Sequence, residues 1–212
     1  MFPGASWIGQ GAFPMRRGSL AFAGMRFVRQ GAVIGLMMIG ALSSLVLVER
    51  SLGNVHAVVE NTVYRSAQLD KEALAQIAQR HQIKSILNLR GANPGSVWYE
   101  DEIAAAAALG VRHYDYGLSA KRTVSLAEAS DLMKILRDAP KPLLIHCRAG
   151  ADRTGFVSAL YRLEIEGDPP VVADRQLSLL YGHFPYLGSR TRAMDDSFWN
   201  VVASLREQSS RQ

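Results

Sequence analysis

Cysteine is nearly missing: the 212 residues hold one, Cys147. A single thiol excludes an intramolecular disulfide framework and any multi-cysteine metal site. Acidic residues are absent from positions 1–48, where the only charges are Arg16, Arg17, Arg26 and Arg29. The net charge of +5 is therefore mostly the property of this arm, because the remainder carries 20 basic against 19 acidic residues. That near-balance removes the nucleic-acid surface that a basic total would suggest, and no nucleic-acid partner is expected. No internal repeat is present. A hydrophobic fraction of 48% with 20% charged residues excludes wholesale disorder. The length fits one domain with an appendage.

Charge is also missing between Arg29 and Glu49, over the 19 residues "QGAVIGLMMIGALSSLVLV". A helix of that length rises about 28 Å, just enough for a bilayer core of about 30 Å. The four arginines before it would keep the N-terminus in the cytosol and send the rest to the outer side, the periplasm in a bacterium. The expected organisation is a basic, disordered arm at 1–29, a transmembrane helix or uncleaved signal anchor at 30–48, a linker at 49–57 and a catalytic domain at 58–208. A cleaved signal ending near Val55–Ala57, read from a start at Met15 or Met25, is the rival.

From about Val58 short apolar runs alternate with amphipathic stretches. The segment 58–66 reads as a hairpin turning near Glu60 and Asn61. The patterns predict helices over 70–82 with Asp70 as N-cap, 99–110 ended by Gly110, 125–139 capped by Ser125, and 154–167. A further helix begins at the two prolines 169 and 170. The last, about 191–207, carries Phe198, Trp199, Val202 and Leu205 on one side. Strands are expected over 84–90, 111–118 and 141–147. The resulting fold class is α/β, a central and mostly parallel sheet flanked by helices.

One stretch stands apart: "HCRAGADRTG", residues 146–155. It joins a predicted strand to a predicted helix, where ligands of such sheets bind. A helix N-terminus offers unpaired N–H groups and the positive end of a dipole. Gly150 between Ala149 and Ala151 lets the backbone curl, so that the amides of Arg148, Ala149, Gly150, Ala151, Asp152 and Arg153 can form an anion nest. Arg153 adds a bidentate guanidinium. A thiol in such a field ionises well below its ordinary value of about 8.5. Cys147 is then a nucleophile aimed at a bound phosphorus, giving a cysteinyl-phosphate. Arg153 and the amides hold the equatorial oxygens, and Thr154 can donate to the leaving sulfur. His146, one residue before the nucleophile, reads as a brace for the loop.

With His-Cys, five intervening residues, Arg and Thr, this stretch resembles the signature loop of the cysteine-dependent protein tyrosine phosphatase superfamily. "VYRSAQL" and "IKSILNLRG" further resemble the compact dual-specificity branch, and the likeness covers roughly 58–182. The resemblance implies a phosphatase fold and phosphomonoester hydrolysis without metal or cofactor. It also implies a general acid, which in that branch is an Asp on a loop roughly thirty residues before the cysteine. Here the matching loop, "GLSAKRTVS" at 117–125, holds no acid. Asp115 lies 32 residues before Cys147 but belongs to the preceding strand. Signatures with Asp directly before the Arg resemble those of myotubularin-like and secreted bacterial phosphatases, where that Asp is the proposed acid. Asp152 is therefore the candidate acid and Asp115 the alternative. A rim carboxyl near bound phosphate is driven to keep its proton by like charge, while Arg153 opposes this.

Arg65, Arg90, Lys121, Arg122 and Arg148 are the candidate basic rim. Two cations at 121 and 122 would suit a phosphoinositide-like or polyphosphorylated substrate over a phosphotyrosine peptide of a phosphorylated protein, and a membrane tether would favour a lipid headgroup or an envelope protein. A phosphatase-like module that binds phosphorylated ligands without turnover is the alternative function, supported by the missing loop acid. A sulfur transferase or arsenate reductase is the third reading. The first lacks the Asp-Arg-Thr-Gly ending and the second needs resolving cysteines.

Overall fold

The computed structural model describes residues 33–38, 40, 44 and 53–211. The chain divides into two units, 1–44 and 45–212. In the first, the described residues are helical. The transmembrane helix expected over 30–48 is overturned: among the described residues no helix is long and apolar enough to cross a membrane. The rest of that span, the whole arm at 1–29 and residues 49–52 of the linker lie outside the described residues.

The second unit is built on five short strands: β1 His56–Val59, β2 Val63–Ser66, β3 Ser85–Asn88, β4 Arg112–Asp115 and β5 Leu143–His146. Their order is β1-β2-β5-β3-β4. β1 and β2 form the antiparallel hairpin, and every other pairing is parallel. The expected mostly parallel sheet is what forms. Register aligns Ser66, His146, Asn88 and Asp115 in one row at the C-terminal ends. The signature stretch leaves the sheet from that row.

Both faces are covered, so the central strands are apolar at successive positions instead of alternating. In β5, Leu143 and Ile145 face one core and Leu144 the other; Val63 and Tyr64 in β2 divide in the same way. Helices α1 Lys71–Arg80 and α2 Val97–Ala108 cover the smaller core through Leu74, Ala78 and Ala106. Helices α3 Leu126–Asp138, α4 Asp152–Glu164 and the C-terminal α6 Ala193–Ser209 cover the larger, with the one-turn α5 Pro170–Ala173 beside them. Each fully buried Leu or Phe is worth about 1.5–3 kcal/mol. α4 is buried without a break from Thr154 to Tyr161. It is the central helix, and it carries the signature loop on its N-terminus.

Local chemistry set the boundaries where expected. Asp70 accepts from the Ala73 amide at 2.8 Å. Ser125 and Glu128 form a reciprocal capping box at the start of α3. Two expectations failed. The helix begun by the prolines stops after one turn and continues as the 3₁₀ turns Asp174–Gln176 and Leu179–Tyr181. The reason is tertiary: the Gln176 carbonyl accepts from the Arg65 guanidinium at 2.8 Å instead of closing a helical turn. In α6, Phe198 and Val202 are buried but Trp199 stands 37% exposed, outside the expected apolar stripe.

Candidate active site

Cys147 follows the last residue of β5 and is 2% exposed. The next four residues turn sharply, with Gly150 at φ +68°, and α4 begins at Asp152 without a side-chain cap. The direction of the turn is set by what the carbonyls meet. Arg148 O accepts from the Gln68 amide at 3.4 Å. Ala149 O accepts from Asn54 Nδ2 at 3.0 Å. Gly150 O and Ala151 O accept from Arg65 Nη2 at 2.8 and 3.3 Å. In a trans peptide the N–H points opposite to its C=O. The amides of Ala149, Gly150, Ala151 and Asp152 therefore face away from the scaffold, and none has an acceptor among the described residues. Four such N–H groups on a helix N-terminus make an anion nest.

Arg65 is the post beneath this nest. It was expected at the rim, but it is fully buried. Its Nη1 donates to both oxygens of Gln176, at 2.8 and 2.7 Å, and its guanidinium lies 3.8 Å from the centroid of the Tyr181 ring. Burial pulls its pKa down to about 10, partly offset by Tyr181 and Cys147, so it stays a cation. Gly150 packs directly on the chain that carries it: an added Cβ would meet Ala67 N at 2.6 Å and Ser66 O at 2.7 Å.

Arg153 Nη1 donates to Leu89 O at 3.1 Å and Leu118 O at 3.2 Å, which binds α4 to the loops after β3 and β4. Arg90 lies flat on Trp98, 3.4 Å from the ring centroid, with Nη1 on Gln68 at 3.1 Å. Burial first, then Arg153 and Arg148, lower its pKa, the mark of cations converging on one place. Thr154 Oγ1 is buried without a hydrogen-bond partner among the described residues. The other expected cations separate from this group. Arg122 is spent on Glu128, at 2.6 Å, securing the α3 cap, and Lys121 is exposed.

The two candidate acids are placed differently. Asp115 accepts from Asn88 Nδ2 at 2.8 Å and from the Tyr99 hydroxyl at 2.6 Å, and lies 3.6 Å from His113 Nδ1. The Tyr99 phenol is pushed up to about 12, first by that hydrogen bond. Asp115 is thus held in a network on the sheet edge, two strands from β5. Asp152 lies on the first turn of α4, its side chain 24% exposed. Its Oδ1 is 2.7 Å from His183 Nδ1, and the other ring nitrogen is 2.9 Å from Asp195 Oδ2.

His146, expected to brace the loop, is instead bonded to α2 through a partner that sequence reasoning missed, and its Nδ1 is buried without a partner among the described residues. Its Nε2 lies 3.1 Å from Glu102 Oε1, which also takes His113 Nε2 at 2.8 Å. Burial pushes the Glu102 carboxyl up, but the hydrogen bonds from His113, His146 and Gln68 outweigh it and hold the pKa near 2. The donor atoms of Glu102, His113 and His146 all lie within 4.8 Å of one another, a spacing that could hold a cation, though here Glu102 Oε1 is bonded to both Nε2 atoms. Glu102 and His113 come from "YEDEI" and "VRHYD", and His183 from "YGHFP". Those stretches carry no spacing signal, since only the tertiary fold brings the groups to the signature loop.

A five-stranded α/β sheet with an anion nest at Cys147 and an arginine six residues on defines a cysteine-phosphatase type of site. The chain belongs to the tyrosine phosphatase family, whose sequence model matches residues 50–174. It is 32% identical over 108 residues to TpbA, a dual specificity protein phosphatase of Pseudomonas aeruginosa, across 50% of this chain. The match spans about half of that relative, 45% of its length. The crystal structure of P. aeruginosa TpbA superposes with a TM-score of 0.54 at 25% identity, over 70% of this chain and 84% of that one. The catalytic core of the PP-IP phosphatase SIW14 from S. cerevisiae shares the fold, with a TM-score of 0.53 at 20% identity over 72% of this chain and 93% of that one.

Proposed function

We propose that this protein hydrolyses phosphomonoesters through a cysteinyl-phosphate. The observation that carries the reading is the outward turn of the Arg148–Ala151 carbonyls onto Gln68, Asn54 and Arg65, which commits four unpaired amides to an anion beside Cys147. The phosphate oxygens bind the amides of residues 148–153 and the guanidinium of Arg153. Cys147 attacks phosphorus as the thiolate, and the P–O bond to the leaving group breaks. Asp152 gives that oxygen a proton, and Asp115 stands as the alternative donor. Water then attacks the phosphocysteine, returns a proton to the acid and releases phosphate and thiolate. Arg153 and the amides act in both transition states, where charge develops on the same oxygens. The unpartnered Thr154 hydroxyl supports its role as donor to the leaving sulfur.

The substrate class is a phosphorylated protein, the reading supported by the similarity to a dual specificity protein phosphatase. A more highly charged, phosphoinositide-like substrate is the second reading. Arg90 and Arg148 support it, as Arg148 is close enough to help lower the Arg90 pKa, whereas Arg122 is already paired. The test is phosphate release by the purified full chain from an aryl phosphate, a phosphotyrosine peptide and a soluble inositol phosphate. Cys147→Ser is expected to abolish all turnover. Appreciable turnover by the serine variant overturns the mechanism; an inactive, folded wild type favours the module that only binds.

A further inference from the structure

His183 is a fully buried ionisable group that the reaction above does not use. It is 1% exposed, in a turn between the 3₁₀ helix Leu179–Tyr181 and α6. Both ring nitrogens face carboxylates: Nδ1 meets Asp152 Oδ1 at 2.7 Å and Nε2 meets Asp195 Oδ2 at 2.9 Å. A neutral imidazole has one N–H and can donate to one of them only. Satisfying both oxygens requires the imidazolium. Two carboxylates at hydrogen-bond distance favour that form, and the His183 pKa is pushed up to about 9, burial pulling it down and the two acids outweighing it. A third acid, Asp174, senses the pair: burial and Asp195 raise its pKa while His183 lowers it. The groups facing His183 are thus Asp152 from α4, Asp195 from α6 and Asp174 from the intervening 3₁₀ turn.

We propose that His183, held by Asp195, is a positioning residue for the general acid, fixing Asp152 through Oδ1 so that Oδ2 is left to exchange protons at the phosphate site. The inference rests on the phosphatase reading above. Oδ1 is occupied by the imidazolium, and Oδ2 has no partner among the described residues. In the first half-reaction, the S–P bond forms, the P–O bond breaks and the leaving oxygen takes the proton from Asp152. The resulting carboxylate is the anion that His183 Nδ1–H already binds. In the second, Asp152 takes a proton from the attacking water while the S–P bond breaks. His183 keeps its own proton throughout. The arrangement also explains why a chain without an acid on its 117–125 loop places this histidine against the signature helix.

A purely structural clamp would slow all substrates alike, whereas support of an acid matters most when the leaving group is poor. The experiment compares full-length wild type, His183→Gln, Asp195→Asn, Asp152→Asn and the double variant His183→Gln/Asp152→Asn on 4-nitrophenyl phosphate and phenyl phosphate. Thermal melts check that each is folded, and Asp195→Asn serves as the milder variant should His183→Gln not fold. The expected result is a kcat loss for phenyl phosphate at least about tenfold larger than for the nitrophenyl ester, with similar KM. Asp152→Asn should show the same selectivity, and the double variant should lose little more. In wild type the selectivity should also appear as pH rises through about 9, where His183 gives up its proton. Equal losses on both esters, or fully additive effects in the double variant, overturn the role of His183 while leaving the phosphatase intact. A folded wild type that hydrolyses neither ester, or a Cys147→Ser variant that hydrolyses both, overturns the phosphatase reading itself.

Discussion

Gly150→Ala tests the claim that the nest is pressed onto its support. Two costs add. At φ +68° an L-residue pays about 1–2 kcal/mol. The new Cβ would then sit 2.6 Å from Ala67 N and 2.7 Å from Ser66 C and O, all backbone atoms. Ordinary contact begins at 3.4 Å, so loop and strand end must part by about 0.8 Å, an overpacking cost of about 1–3 kcal/mol. Neither side yields freely. The Ala67 amide is bonded to Gly53 O at 2.8 Å, and Gly150 O is held by Arg65 at 2.8 Å. A total of about 2–5 kcal/mol lowers Tm by roughly 5–15 °C in a domain of this size. A displacement approaching 1 Å in an anion-binding loop can cost about 10²-fold in kcat/KM. Gly95→Ala is the control: its φ is +84° but nothing lies within 4 Å of the added Cβ, so it pays only the first cost and keeps its activity. The assay is calorimetry beside aryl phosphate turnover. A Gly150→Ala protein that melts within about 2 °C of Gly95→Ala and turns over normally would refute the packing argument.

Three further outcomes follow from the same geometry. His183 has its pKa raised from 6.5 to about 9, so its contribution to stability is fully present below about 6.5 and is lost as pH rises toward 9. Screening at its partly exposed acid partners reduces the expected loss to about 1–2 kcal/mol, read as a falling Tm in wild type and a flat one in His183→Gln. Glu102 behaves in the opposite sense: with its pKa lowered from 4.5 to about 2, its contribution holds above 4.5 and disappears as pH falls toward 2. Glu102→Gln should cost about 3 kcal/mol at neutral pH, because a neutral amide replaces the carboxylate between two imidazoles and its NH2 meets the Gln68 NH2 donor to donor; chemical denaturation across pH 3–7 checks both the size and the loss of acid sensitivity. Ser125→Ala removes the acceptor for Glu128 N at 3.2 Å and should cost about 1 kcal/mol, a Tm drop of about 2–4 °C with turnover unchanged.

What the sequence reveals of this site, and what it conceals, divides along one physical line. Features made by neighbours in the chain are legible. The nest needs only a strand end, a small-residue turn and a helix start, all within 146–155. The caps at Asp70 and Ser125 need three residues, and the parallel sheet follows from apolar runs separated by helices. Features made by distant segments leave no local trace. Arg65 reads as a strand-end cation and becomes the post under the loop because Gln176, 111 positions away, breaks its own helix to meet it. Asp152 reads as a free rim carboxyl and is in fact engaged by a histidine 31 positions on. Arg122 reads as substrate-facing and is captured by Glu128. In each case the charged side chain is visible in the sequence and the partner that engages it is not. The loop can therefore be recognised from ten residues, but its electrostatics belong to the whole fold. Arg65 turns the carbonyls, Glu102 holds the histidine beside Cys147, and His183 takes one oxygen of Asp152. Grafting the ten residues onto another strand–helix junction would carry over the motif without these three supports, and the transplanted cysteine should show little of the turnover expected here.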